Sequence, residues 1–219
     1  MSPAAELLAQ RRTVLLDFDG PVCAVFGVIT DEAVADKLRT LLPGDIPADV
    51  ATARDPFRVL RYAATLGVDI AAEVEAEFHH EEYRAVSDAP PTTGAFEVLR
   101  ALDAIGHWVV IVSNNSKGAV RRFLHLHGLA STVAAISARS DADPDHLKPA
   151  PYLLLQAMRQ LSVTADECVM VGDSVSDIEA AHAAATPAIA YANKPGKRER
   201  FQSHSPEAII DTMTELLPQ

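Results

Sequence analysis

Short apolar runs that end in acidic or polar turns alternate with helical patterns along most of this 219-residue sequence. The strongest runs cover residues 13–18, 107–112 and 167–171. Each is bounded by polar residues and rich in valine, isoleucine or leucine, which is typical of strands buried on both faces. Strands that alternate with helices form parallel sheets covered by helices on both faces. We therefore predict an α/β fold whose ligand site lies beyond the carboxyl ends of the strands.

Weaker strand patterns extend this sheet at residues 132–136, 188–191 and 208–210. The helical patterns between the strands cover residues 94–104, 117–127, 151–161, 177–185 and 211–217.

The alternation stops between residues 22 and 92, where helical patterns at residues 31–42, 56–66 and 70–86 follow one another with little strand signal. Residues 88–94 contain two prolines and a glycine, which indicates a linker back to the sheet. We predict a core made of residues 1–21 and 93–219, with residues 22–92 inserted as an all-helical cap above the strand ends.

The composition limits the class of partner. With 19 basic and 30 acidic residues the net charge is −11, so phosphate backbones and anionic lipids would repel the chain. No apolar run approaches the roughly 20 residues that a membrane span needs, and the N-terminal residues lack a secretory signal pattern. Two cysteines, Cys23 and Cys168, indicate a reducing compartment. We expect a cytoplasmic protein that binds a small molecule, with no nucleic acid or membrane partner; the sequence does not indicate an oligomeric state.

Two pairs of aspartates follow predicted strands. Asp17 and Asp19 end the first strand and precede Gly20, while Asp173 and Asp177 follow the strand at residues 167–171. Two neighbouring carboxylates suit a hard cation and can act as nucleophile and general acid. Acidic turn residues or helix caps give the same pattern, so neither pair identifies a site by itself.

A possible anion site follows the second strand. Ser113 and Asn114 place a hydroxyl and a backbone N–H ahead of a helix, which favours anion binding. Lys148 precedes Pro149 and Pro151 and can extend over the sheet end toward an anion. A helix cap and a solvated lysine are the alternative interpretations.

Taken together and in this order, these elements resemble the haloacid dehalogenase-like hydrolase superfamily, and most of all its phosphoglycolate phosphatase-like branch with a C1 helical cap. The resemblance runs from about residue 14 to residue 191 and departs from the usual family pattern at Pro21, where threonine is common. The matching motifs are Asp17-Phe18-Asp19-Gly20, Ser113-Asn114, Lys148-Pro149-x-Pro151 and Gly172-Asp173-Ser174-Val175-Ser176-Asp177.

The resemblance implies a Rossmann-like core and a phosphatase that uses an aspartyl-phosphate intermediate. Asp17 would attack phosphorus, and Asp19 would protonate the leaving alcohol and then activate water. Mg²⁺ would be held by Asp17, the main-chain carbonyl of Asp19 and Asp173, with Asp177 supporting the site. The residues implied to bind the phosphoryl oxygens of a small phosphate ester are Ser113, Asn114 and Lys148.

Other activities share parts of this pattern. A haloacid dehalogenase uses the same nucleophile without a metal, but Asp19 argues against it because halide needs no protonation as it leaves. A phosphonatase needs a cap lysine for a Schiff base, and the cap has only Lys37, in an ordinary amphipathic pattern. A phosphomutase or phosphotransferase stays open, since the intermediate can pass its phosphoryl group to another acceptor. A receiver-like signalling module and a non-enzymatic binding protein are the remaining, less favoured alternatives.

Three further patterns carry ordinary interpretations. The charged run at residues 77–82 is expected to be a solvated helix face rather than a metal site, and the basic run at residues 193–198 a solvated loop. Arg54, Arg58 and Arg61 have helical spacing on the cap. They either form a salt-bridged face or contact an anionic substrate.

Overall fold

Six parallel strands form one sheet in the order β3-β2-β1-β4-β5-β6 in the computed structural model, which describes residues 2–218. β1 lies between β2 and β4, so the segments that follow these three strands are neighbours at one edge of the sheet. This confirms the predicted α/β class with a Rossmann-like parallel sheet. The strands are β1 (Thr13–Leu16), β2 (Trp108–Ser116), β3 (Ala135–Arg139), β4 (Cys168–Gly172), β5 (Ala188–Tyr191) and β6 (Ala208–Ile210).

Helices cover both faces of the sheet because alternate side chains of each buried strand point to opposite faces. In β1, Val14 and Leu16 belong to one apolar cluster and Leu15 to the other. The helices on the first face are α1 (Pro3–Gln10), α6 (Ala95–Ala104) and α7 (Lys117–Leu126). Those on the second face are α8 (Tyr152–Leu161), α9 (Val175–Ala183) and α10 (Lys197–Gln202).

Within the predicted cap, residues 22–92, the regular elements are helices, and an isolated bridge links Cys23 to Pro91. The cap has an apolar cluster of its own. Its helices are α2 (Asp31–Arg39), α3 (Ala48–Ala51), α4 (Pro56–Thr65) and α5 (Val68–Ala85). Two of these helices begin at residues that favour a helix N-terminus. The Thr30 hydroxyl accepts a hydrogen bond from Ala33 N at the start of α2, and Pro56 occupies the first turn of α4. The exact boundaries at residues 22 and 92 stay a prediction; Val22 and Cys23 pack with the sheet-side cluster.

The chain enters and leaves the cap through two segments that lie side by side, which we call the neck (residues 22–24 and 90–92). Ala24 N donates to Pro90 O at 3.0 Å, and Thr92 N donates to Val22 O at 3.0 Å. Helix α5 also packs on α7: a Cβ added at Gly118 would lie 2.2 Å from His79 Nε2. The cap is therefore joined to the core at the neck and along α5.

Some predicted elements are wrong in type or extent. Residues 130–132, which overlap the predicted third strand, form a 3₁₀ turn, and β3 begins only at Ala135. The helix predicted at residues 211–217 is the 3₁₀ helix Met213–Leu216, because Pro218 follows directly and disfavours helical backbone in the residue before it. Helices α1, α3 and α10 were not predicted; α3 has only four residues, and α10 has one buried side chain, Phe201. Among the described residues, every helix is too short or too polar to cross a lipid bilayer.

Candidate active site

The ends of β1, β2 and β4 open into a cavity of about 250 Å³ between the sheet and the cap. Six of the seven predicted site residues line it: Asp17, Asp19, Ser113, Asn114, Lys148 and Asp173. The seventh, Asp177, is 1% exposed and lies against Lys148. The cap side of the cavity is formed by Asp55, Phe57 and Arg61.

Lys148 is a buried cation between two carboxylates. Its Nζ lies 2.8 Å from Asp17 Oδ1 and 2.5 Å from Asp177 Oδ1, and it donates to Val112 O at 3.0 Å. Burial disfavours the charged amine, but the two aspartates outweigh it and raise the pKa of Lys148 above its ordinary value. Lys148 is therefore charged at neutral pH, and it lines the cavity.

Asp177 serves as an anchor for this lysine. Its Oδ2 accepts hydrogen bonds from Ser174 N at 3.0 Å and Ser174 Oγ at 2.6 Å, which completes a capping box at the start of α9. With one oxygen bound to the helix cap and the other to Lys148, Asp177 fixes the position of the ammonium group.

Three aspartates can place carboxylate oxygens within 4.8 Å of one another: Asp17, Asp173 and Asp177. Burial and repulsion from Asp177, opposed by Lys148, raise the pKa of Asp17 above its usual range. Mutual repulsion of this kind is relieved by a cation, and carboxylate oxygens are hard donors that suit Mg²⁺.

The hydrogen-bonding pattern leaves donor atoms for such a cation. Asp17 Oδ1 accepts from Phe18 N at 2.7 Å and from Lys148, while Asp173 Oδ2 contacts Lys197 Nζ at 2.5 Å and Asn193 Nδ2 at 2.9 Å. Within residues 2–218 these bonds leave Asp17 Oδ2 and Asp173 Oδ1 without a partner. The donor set therefore fits the expected magnesium ion.

Asp19 has a different environment from Asp17. Its Oδ1 accepts a hydrogen bond from Val25 N at 2.9 Å, and its carboxylate is outside the three-aspartate cluster. Burial raises the pKa of Asp19 to about 6 despite this hydrogen bond, which favours the charged form. A carboxyl group with a pKa near 6 can both donate and accept a proton close to neutral pH.

Two glycines allow the aspartates to approach so closely. Gly20 has a φ of +102°, and a Cβ there would lie 2.4 Å from Asp173 Cγ. A Cβ at Gly172 would lie 2.3 Å from Asp177 Cγ. The glycine beside each aspartate pair is thus a steric requirement of the site.

Ser113 and Asn114 lie at the end of β2, where the ladder with β3 becomes irregular. The Asn114 amide binds the backbone of Lys148 twice: Lys148 N donates to Asn114 Oδ1 at 2.8 Å, and Asn114 Nδ2 donates to Lys148 O at 3.2 Å. Ser113 Oγ donates to Asn115 Oδ1 at 3.1 Å. The second motif therefore holds the lysine loop in place as well as lining the cavity.

The prediction of a solvated face at residues 77–82 is wrong for Glu81 and Glu82, which are 4% and 0% exposed. Glu82 contacts Arg139, the last residue of β3. Arg139 was not among the predicted site residues. A usable signal was present: Phe78 and Ala85 are buried in α5, and Glu82 lies four residues after one and three before the other.

The basic segment near residue 197 is also not a solvated loop, because Asn193 and Lys197 contact Asp173 as described above.

The three cap arginines have different environments. Arg54 pairs with Glu32 and Arg58 with Asp49 on the surface, whereas Arg61 lines the cavity. For Arg54 and Arg58 the salt-bridged interpretation holds.

The fold and the site together define an α/β protein with carboxylates and a buried lysine at the strand ends, below a helical segment. Residues 11–185 match the family model of haloacid dehalogenase-like hydrolases, which covers more than half of the chain. The chain belongs to this family, as its motifs predict.

Named relatives are similar at moderate identity. The chain is 28% identical over 142 residues to the pyrophosphatase PpaX of Bacillus cereus, covering 65% of this chain and 64% of that protein, just under two thirds of its length. It is 29% identical over 173 residues to a phosphoglycolate phosphatase of Vibrio parahaemolyticus, covering 78% and 74% of the two chains. The solved structure of CbbY from Rhodobacter sphaeroides in complex with phosphate has a TM-score of 0.71 at 16% identity, covering 94% of this chain and 96% of that one, and shares the fold.

Proposed function

We propose that this protein is a Mg²⁺-dependent phosphatase that hydrolyses a small phosphorylated metabolite through an aspartyl-phosphate on Asp17. The observation that carries the proposal is the position of Asp17: a buried carboxylate in a small cavity, held by a charged lysine at 2.8 Å. The names of the relatives, a pyrophosphatase and a phosphoglycolate phosphatase, point to the same reaction class.

Asp17 is suited to nucleophilic attack. Phe18 N and Lys148 hold the Asp17 carboxylate in place, so that one of its oxygens can form a bond to phosphorus while the ester P–O bond breaks. Lys148 reduces the repulsion between this carboxylate and the anionic phosphoryl group. We assign Ser113 and Asn114, with Lys148, to the phosphoryl oxygens.

Asp19 supplies the proton for the leaving group. In the first step it protonates the departing alkoxide; in the second it accepts a proton from the water that attacks phosphorus and releases Asp17. Its pKa of about 6 lets both forms occur near neutral pH.

The residues that would hold Mg²⁺ are Asp17, Asp173 and the main-chain carbonyl of Asp19, with Asp177 acting through Lys148. When bound, the ion neutralises charge on the phosphoryl group. Asn193 and Lys197 fix the second oxygen of Asp173, so that its carboxylate stays oriented toward the site.

The cap selects the leaving group. Arg61 offers a cation on the cap side of the cavity, so we propose that the substrate carries a second anionic group in addition to its phosphoryl group. Phosphoglycolate and pyrophosphate, which appear in the names of the relatives, both meet this description.

Replacement of the nucleophile tests the proposed reaction. Asp17→Asn should lower kcat for a phosphorylated-metabolite panel by more than about 10⁴-fold, the scale on which a covalent nucleophile acts. Phosphate release is measured with and without Mg²⁺, and circular dichroism checks the fold. Asp103→Asn, an exposed aspartate on α6, is the matched control. Wild-type turnover by Asp17→Asn, or chloride release from a haloacid without metal, would overturn the proposed reaction.

A further inference from the structure

A buried charge pair joins the cap to the core directly behind the proposed phosphate site. Glu82 belongs to α5 of the cap and Arg139 ends β3 of the core, and Arg139 Nη2 lies 2.5 Å from Glu82 Oε2. The two side chains are 0% and 1% exposed. A second cap carboxylate, Glu75, contacts Arg139 Nη1, and the guanidinium carbon lies 4.3 Å from the centre of the Phe78 ring.

The same two side chains bind the segment that follows Ser113. Glu82 Oε1 accepts a hydrogen bond from Asn115 Nδ2 at 3.0 Å, and Oε2 accepts one from Ser116 N at 2.9 Å. Arg139 Nε donates to Asn114 O at 2.9 Å. Three consecutive residues of this segment are therefore fixed by one carboxylate and one guanidinium.

These contacts lead directly to the groups that would hold the phosphoryl oxygens. Asn115 shares a hydrogen bond with the Ser113 hydroxyl, and Asn114 binds the backbone of Lys148 at both N and O. A shift of the segment at Asn114 would therefore move Ser113 and Lys148 as well.

A buried ion pair contributes little net stability, because desolvation of both charges offsets their attraction. The pair does what apolar residues cannot: it accepts and donates the hydrogen bonds that orient residues 114–116.

We infer that Glu82 and Arg139 are positioning residues that complete the phosphate-binding loop from the cap side, so that the loop reaches its working geometry only when α5 is docked. This inference rests on the proposed phosphatase function for its kinetic readout. Two readouts do not depend on turnover: binding of inorganic phosphate in the presence of Mg²⁺, and amide hydrogen exchange of residues 113–119.

The test separates positioning from stability by removing the pair together. The single variants Glu82→Leu and Arg139→Met each leave one buried charge and should lower Tm. Because Glu75 loses its contact with Arg139 as well, the double variant E82L/R139M should regain only part of the wild-type Tm. Its kcat should nevertheless stay about 10- to 100-fold below wild type, the effect of a displacement of roughly 1 Å in a reacting group.

In the double variant, inorganic phosphate measured by calorimetry should bind more weakly, and residues 113–119 should exchange faster because Ser116 N has lost its acceptor. The matched control is Glu81→Gln. Glu81 is the neighbouring buried carboxylate of α5, but it pairs with Lys37 and Arg84 inside the cap. This variant should leave kcat, phosphate affinity and exchange of residues 113–119 unchanged.

A double variant with wild-type Tm, kcat, phosphate affinity and exchange would overturn the inference, as would an equal loss in Glu81→Gln. If the wild-type protein hydrolyses no phosphate ester, the proposed function fails. Phosphate binding and hydrogen exchange then still decide whether the pair positions the loop.

Discussion

Replacement of Lys148 by methionine tests the charge balance of the site. The ammonium group lies 2.8 Å from Asp17 and 2.5 Å from Asp177, and its side chain is 3% exposed. Methionine keeps the length and the apolar stem of lysine but removes the charge. The two carboxylates then remain buried and repel each other.

The expected loss of stability is large because the two partner carboxylates are only 10% and 1% exposed. Removal of one member of a buried ion pair costs about 3–5 kcal/mol. With a dependence on urea of about 2 kcal/mol per molar, this loss lowers the urea midpoint by roughly 1.5–2.5 M. The measurement is made in EDTA, so that no divalent cation replaces the missing charge.

A second substitution checks the cause of that loss. In the double variant K148M/D177N one of the two stranded charges is also removed, so about 1–2 kcal/mol should be recovered, within the range of coupling energies for contacting residues. Arg198→Met removes an ion pair with Asp211 on the surface and should leave the urea midpoint unchanged.

Two results would refute this reasoning. If Lys148→Met unfolds at the wild-type urea concentration, the lysine is not the charge that keeps the carboxylates stable. If K148M/D177N is less stable than Lys148→Met, the stranded Asp177 charge costs less than the hydrogen bonds of Asp177 with Ser174 contribute.

Three further predictions concern the metal, the turn and the cap. A 100-fold excess of Mg²⁺ over its dissociation constant should stabilise the wild-type protein by about 2.7 kcal/mol, or roughly 5–10 °C in Tm. Asp173→Asn should abolish this shift, and an equal shift in both proteins would remove Asp173 from the metal site. Gly20→Ala should lose activity because its Cβ would clash with the Asp173 carboxylate. The control is Gly44→Ala, which should keep wild-type activity because Gly44 also has a positive φ but has open space around it. Equal activity of the two variants would contradict the steric argument. Arg61→Met should raise KM for doubly anionic substrates about tenfold or more, as expected for a lost charged hydrogen bond, and should leave KM for p-nitrophenyl phosphate unchanged. In the control variant Arg58→Met, KM should stay at the wild-type value for both kinds of substrate. An equal rise of KM for both kinds of substrate in Arg61→Met would argue against a second anion site.

The sheet and most of the site could be predicted from the sequence because their signals are local. The run that contains β1 is rich in valine and leucine, and Asp17 follows β1 without a gap, so the strand end and the site are marked by neighbouring residues. Parallel pairing then brings Asp17, Ser113 and Asp173 to one edge, whatever the details of the loops.

The parts that could not be predicted depend on contacts distant in sequence. Glu82 and Arg139 are 57 residues apart. The spacing of Glu82 from Phe78 and Ala85 places it on the apolar side of α5, but nothing in either segment identifies Arg139 as its partner. Lys197 stands in a basic run that resembles a solvated loop, yet it contacts Asp173 from 24 residues away. A lone charge in a sequence carries no sign of its partner, so burial of such pairs becomes evident only in the folded chain.

The neck has a consequence for how specificity can change in this protein. The two neck segments are hydrogen-bonded to each other, so the cap is an insertion whose two ends are held together at the core. The entropy cost of closing such a loop rises only slowly with its length. We therefore expect caps of other sizes to be tolerated between residues 24 and 90 while Asp17 stays in place. Arg139 sets a condition on this modularity: a transplanted cap must bring a carboxylate to the place of Glu82, or the core keeps its nucleophile and loses the shape of its phosphate site.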